Sequence, residues 1–91
     1  MSDQIIVTVS GVDKVGIVAE VTAMMAKYDV NIEDIKQTLM QGHFVMFMLC
    51  NIGTSKYSFK EIKEAFTELG EKMKMEIWVQ KREIFDNMHR I

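Results

Sequence analysis

Between His43 and Asn51 the chain reads Phe44-Val45-Met46-Phe47-Met48-Leu49-Cys50, an unbroken apolar run. It is short, and turn and loop residues bound it, so it reads as a strand rather than a helix. Successive side chains of a strand point to opposite faces, so both faces of this one are apolar. Such a strand is central in its sheet, and is covered on both sides or covered after assembly. The rest of the chain has to supply its neighbours and at least one of its covers.

The neighbours are legible by period. Ile5, Val7 and Val9 alternate with Gln4, Ile6, Thr8 and Ser10, which predicts a first strand over Gln4 to Val9. Ile17, Val21, Met24 and Tyr28 recur at helical spacing and predict an amphipathic helix, which Asp29-Val30-Asn31 breaks. Ile32 to Met40 alternates less cleanly, with Ile35, Gln37 and Leu39 facing one way and Lys36, Thr38 and Met40 the other, as suits an edge strand. Gln41-Gly42 predicts a tight hairpin turn into the doubly apolar strand.

After the loop Asn51-Ile52-Gly53-Thr54-Ser55, Ser58 and Glu61 form a capping-box signature. Phe59, Ile62, Phe66 and Leu69 make the inner face of a second helix, and Gly70 is expected to supply its left-handed stop. Met73, Met75, Ile77 and Val79 alternate with Lys74, Glu76, Trp78 and Gln80, predicting a fourth strand. Arg82 to Ile91 closes the chain as a short helix with Ile84, Phe85, Met88 and Ile91 on one side. The predicted core is Ile5, Val7, Val9, Val21, Met24, Ile62, Phe66 and Leu69.

The order is βαββαβ plus one helix. Right-handed crossovers put both long helices on one face of a four-stranded antiparallel sheet, an α+β ferredoxin-like sandwich with the first and third strands in the middle. A single domain over 1–91 is expected, with its core in 4–80 and the tail helix in 82–91.

Composition narrows the function. The 91 residues are 48% hydrophobic with a net charge of −2, ordinary for a globular fold, and the pI near 5.6 gives no global attraction to nucleic acid. No apolar run reaches the roughly 20 residues of a membrane helix. Met1-Ser2-Asp3-Gln4 lacks the basic segment of a secretory leader, so a cytoplasmic location is expected. Cys50 has no second cysteine and reads as a buried small hydrophobe, and the nine methionines read mainly as core filler.

Catalytic patterns are missing as well. The chain has two histidines, His43 and His89, and neither CxxC nor HExxH nor a glycine-flanked serine. No enzyme activity, metal or cofactor is expected. Gln41 to Phe47 resembles the aromatic strand of RNA-recognition motifs. Gln41 stands where a basic residue belongs, however, and the first strand offers only Ile6 and Thr8 as platform.

One connection remains. Ser10-Gly11-Val12-Asp13-Lys14-Val15-Gly16-Ile17-Val18 carries a glycine-bounded loop into a helix N-terminus, whose unpaired N–H groups suit an anion such as a carboxylate. The succession strand, Asp-Lys-Val-Gly-Ile-Val, helix, Val30-Asn31-Ile32, strand resembles the ACT domain. It is most similar to small stand-alone ACT proteins related to the halves of the glycine-cleavage-system repressor. Val15 departs from the family's commonest signature, where proline is frequent.

The resemblance implies a non-enzymatic regulatory module that binds a small ligand, possibly an amino acid, at a site often shared between subunits. Carried over, the ligand-binding candidates are Asp13, Val15, Gly16 and Ile17 in the loop and Asn31 and Ile32 at the following turn. Two other readings stay open, a ligand-free oligomerisation module and an RNA-binding domain. A homo-oligomer, a dimer first of all, is expected on separate grounds. The third strand and Trp78 leave apolar surface on the face that the long helices do not cover.

Overall fold

The doubly apolar run is an inner strand. The computed structural model describes residues 3–12 and 16–88. In chain order it comprises β1 (Gln4–Val12), α1 (Ile17–Lys27), β2 (Asn31–Met40), β3 (His43–Asn51), α2 (Phe59–Met73), β4 (Glu76–Lys81) and α3 (Arg82–Met88). The strands form one sheet in the order β2-β3-β1-β4 with all pairs antiparallel. This is the ferredoxin-like arrangement, with β1 and β3 central.

Register assigns each side chain to a face. Val7 lies opposite both Met48 and Val79, and Val9 opposite Met46 and Ile77. These residues, with Ile5 and Cys50, are buried beneath Ile17, Val21 and Met25 of α1 and Ile62, Phe66 and Leu69 of α2. The other face carries Ile6, Thr8 and Ser10 of β1, Val45, Phe47 and Leu49 of β3, and Trp78 of β4. Apart from Thr8, the buried strand residues lie on the helix-covered face, as two right-handed crossovers produce.

The two helices are fixed at their ends by local chemistry. At the start of α2 the Ser58 N–H donates to Glu61 Oε1 at 2.8 Å while the Glu61 N–H donates to Ser58 Oγ at 3.1 Å. Both helices then end on a non-glycine residue in the left-handed region, Asp29 at φ 57 and Lys74 at φ 58. Val30 N–H donates to Met25 O and Met75 N–H to Gly70 O, the long back-bond of a Schellman turn. The β2–β3 hairpin turns on Gln41 (φ 52) and Gly42 (φ 82), the paired positive φ of a type I′ turn.

Several expectations need correction. β1 runs three residues beyond Val9, because β3 pairs with it as far as Val12 opposite His43. Met24 is only partly buried and its neighbour Met25 takes the core position, since the helix turns its 17–21–25 row inward. Gly70 is not the stop of α2. The helix continues to Met73 with Gly70 buried inside it, where an added Cβ would meet Met75 O at 2.8 Å. Met73 accordingly ends a helix, and β4 starts only at Glu76. The tail helix packs against β1 and β4, and its Arg82 guanidinium donates to Gln4 Oε1 at 2.9 Å. Ile84 is exposed; the side chains of Phe85 and Met88, with His89 and Ile91, lie outside the described residues.

Candidate functional site

Chain direction decides which candidates meet. Gly16 caps the start of α1 in the left-handed conformation at φ 87 and has no side chain with which to cap the first turn. Its position is open, since nothing lies within 4 Å of where a Cβ would stand. Ile17 is buried beneath it. Because the β1 end pairs with the start of β3, Gly11 opposite Phe44, the hairpin end of β2 and β3 lies beside this helix start. Gly16, Ile17, Val18 and Ala19 therefore face Gln37, Thr38, Leu39 and Phe44 across a groove of about 590 Å³.

The groove has a definite chemistry. Ile17, Leu39 and Phe44 make its walls apolar, and Leu39 is 59% exposed. Gln37, which lies opposite Met46 on the helix side of the edge strand, brings a side-chain amide with donors and an acceptor. The first turn of α1 contributes its N–H groups and the positive end of the helix dipole. Among the described residues no charged side chain lines it. A small molecule with one carboxylate and a modest apolar part matches such a surface.

Asn31 and Ile32 lie elsewhere. They open β2, after the C-terminal end of α1, so the 11 residues of that helix, about 16 Å long, separate them from Gly16. Asn31 is exposed and paired with Asn51, while half-buried Ile32 lies opposite Cys50 on the core. One copy of the chain does not bring the loop and the turn together. Asp13 and Val15 lie outside the described residues. Gln37, Thr38, Leu39 and Phe44 were not among the sequence candidates. The alternation had put Gln37 and Leu39 on one face, but nothing local tied that face to the helix start.

A larger trench, about 910 Å³, follows the outer edge of β4 from Lys63 and Glu71 on α2 and Lys74 just past its end round to Glu76 and Trp78. Its mixed charges converge on no point, and of the described candidates none of Gly16, Ile17, Asn31 and Ile32 lines it. In the smaller groove the helix start and the apolar side chains of Leu39 and Phe44 face one shared space.

Other reactive groups are engaged. His43 Nε2 and Ser10 Oγ share a hydrogen bond of 3.1 Å at the exposed end of the sheet. Burial, with a smaller contribution from the Glu33 carboxylate, pushes the Cys50 thiol up to about 12, which keeps it protonated beside Met25 Sδ at 3.9 Å. Among the described residues no three His, Cys, Asp or Glu side chains come together as a metal site. No helix there is long and apolar enough to cross a membrane.

Comparison with known proteins gives a consistent result. The family described as "ACT domain" matches residues 3–80. A UPF0237 protein of Listeria innocua is 42% identical over 86 residues, covering 94% of this chain and 97% of the relative. Another, from Methanococcus maripaludis, is 45% identical over 89 residues, covering 98% and 99%. An ACT domain protein from Streptococcus pneumoniae superposes with a TM-score of 0.80 at 32% identity, covering 94% and 97% of the two chains. A formyltetrahydrofolate deformylase from Pseudomonas syringae shares the fold over 28% of its own length, with a TM-score of 0.79, 23% identity and 88% of this chain covered.

Proposed function

The chain belongs to the ACT domain family, in its UPF0237 group, and ACT domains in general are small-ligand regulatory modules; from that premise we propose a non-enzymatic sensor of an amino acid or similar small acid. The bound state is passed on through assembly or a partner protein. One observation carries the reading. The uncapped start of α1 opens into a groove walled by apolar side chains and edged by Gln37, which supports binding of a carboxylate at the helix end and an apolar group against Leu39 and Phe44.

A second copy supplies what one copy lacks. β2 is a sheet edge, and antiparallel pairing of two such edges about a two-fold axis brings the Asn31–Ile32 end of one alongside the Leu39 end of the other. Asn31 carries two donors and an acceptor, so it could complete the site from across the interface, with Asp13 and Val15 from the loop. A ligand held this way favours the paired state over the separate one, which is what regulation requires.

A thermal-shift screen over the twenty amino acids at millimolar concentration tests this. A ligand at 100 times its Kd adds about 2.7 kcal/mol, enough to raise the midpoint of a chain this short by several degrees. Ala19→Glu serves as the control variant. An acid in the first turn suits the helix dipole, so folding is kept, but it repels a carboxylate and abolishes the shift. Absence of a shift with every amino acid overturns the sensor reading and favours a ligand-free assembly module, which the apolar sheet face also suits.

A further inference from the structure

β4 is the second edge of the sheet. Among the described residues its only strand partner is β1, so alternate residues of Glu76–Lys81 turn their backbone N–H and C=O groups outward. The larger trench follows that edge, with the outer flank of α2 as its far wall, and no described residue of α3 lines it. Two contacts fix how helix and strand run. A Cβ on Gly70 would stand 3.3 Å from Ile77, and the Lys81 ammonium lies 5.3 Å from the centre of the Phe59 ring. The helix is therefore antiparallel to the strand, with Lys63 toward the Lys81 end and Glu71 toward the Glu76 end.

Charge changes along that direction. At one end the Lys63 and Lys81 ammoniums share the Phe59 ring, at 6.0 Å and 5.3 Å, and among the described residues neither pairs with a carboxylate. At the other end stand Glu71 and Glu76, with Lys74 just past the helix, and again no ion pair forms among the described residues. Trp78 lies midway along the strand, 58% exposed, its indole N–H donating to Glu76 Oε1 at 3.3 Å. The six residues of β4 span about 20 Å. Charges set out along such a line suit an extended chain, whereas a small molecule is held by polar groups that converge.

We infer that the β4 edge takes an extended peptide segment of a partner protein as a fifth strand, held by main-chain hydrogen bonds to β4 and selected by the charges of the trench. Antiparallel pairing is the stabler form, and residues directly opposite in it point to the same face. The segment then carries an acid opposite Lys81, where both ammoniums reach it, and a base opposite Ile77, beside Glu71. A β-branched residue opposite Val79 stands between them. On the other face its side chains lie against Trp78.

A second copy is the competing occupant. Two β4 edges joined about a two-fold at Trp78 would match Lys63 with Glu71. The α2 flanks would then meet antiparallel near Thr67, set Lys60 against Lys74, and enclose charged side chains that a peptide leaves in water. Interface cores are depleted in charge, which favours the peptide.

Trp78 is the only tryptophan of the chain, so its fluorescence reports on this edge. Titration of the full chain with the peptide acetyl-Glu-Thr-Val-Thr-Lys-Thr-amide should shift the emission to the blue and saturate below about 1 mM. The same peptide with its Glu and Lys exchanged should bind about tenfold more weakly, and the double variant Lys63→Glu, Glu71→Lys should remove that preference. N-methylation of alternate peptide residues should abolish binding in one frame and spare it in the other, the signature of strand addition. No change in emission up to that concentration overturns the proposal, as does an equal response to both peptides. A dimer of the chain alone that Lys63→Glu dissociates gives the edge to a second copy and overturns it too. No arm uses an amino acid, so the groove by α1 and its ligand shift are decided separately.

Discussion

At the scale of single residues, the most constrained position is Gly70. The sequence offers it as a helix stop, because glycine near the end of a hydrophobic stripe is the usual signal. Its actual role comes from the chain entering β4, where the Met75 carbonyl and the Ile77 side chain stand 2.8 Å and 3.3 Å from the place of a Cβ. Gly70→Ala gains about 1 kcal/mol of helix propensity but must push strand backbone away, a strain of about 1–3 kcal/mol. We expect a lower melting midpoint, and a rise would show that the strand yields freely. Met25 illustrates the same limit, since adjacent methionines both fit a helical stripe. Their roles are decided by the helix rotation that the Val30–Met25 back-bond fixes. Cys50 was legible as a buried hydrophobe, and its chemistry follows from that. Burial pushes the folded thiol from an ordinary 9.0 up to about 12, so its contribution to stability is full below pH 9 and is lost as pH rises toward 12. Wild-type protein should resist iodoacetamide at pH 8 until urea unfolds it, and Cys50→Ala should flatten the loss of stability at alkaline pH. Alkylation of the native protein at the rate of a free thiol would contradict the burial.

Elements were readable where their signals are local. The Ser58–Glu61 box marks the start of α2 within four residues, and Ser58→Ala should cost about 1 kcal/mol in urea unfolding. Strand ends were less readable, because β1 extends to Val12 only through its partner His43, a residue far along the chain. The helix ends reveal an inefficiency. Asp29 and Lys74 hold the left-handed conformation that glycine adopts without steric cost, and Asp29 also sets a negative charge at the negative end of α1. Asp29→Gly and Lys74→Gly should each raise stability by about 0.5–1 kcal/mol in the same assay; a loss at either site would mean that its side chain does something the local geometry does not require. The groove was half-legible for the same reason as the strand ends. Gly16 and Ile17 announce a helix start, but Gln37, Thr38, Leu39 and Phe44 join them only once the sheet register is set.

At the scale of the whole molecule, β2 is one of the two edges of the sheet, and the proposed site is divided along it, with Gly16, Gln37 and Leu39 at one end and Asn31 at the other. Pairing of two β2 edges about a two-fold axis normal to the sheet makes a single layer of eight strands and brings the two ends together twice over. A ligand held between the edges favours that dimer over separate chains by its differential affinity. In small-angle scattering, the amino acid that raises the melting midpoint should therefore drive the 10.5 kDa chain toward an elongated particle of twice that mass, and Ala19→Glu should remove the response. A ligand that raises the midpoint while leaving the scattering profile unaltered would separate the groove from the β2 edge and leave regulation to a partner protein.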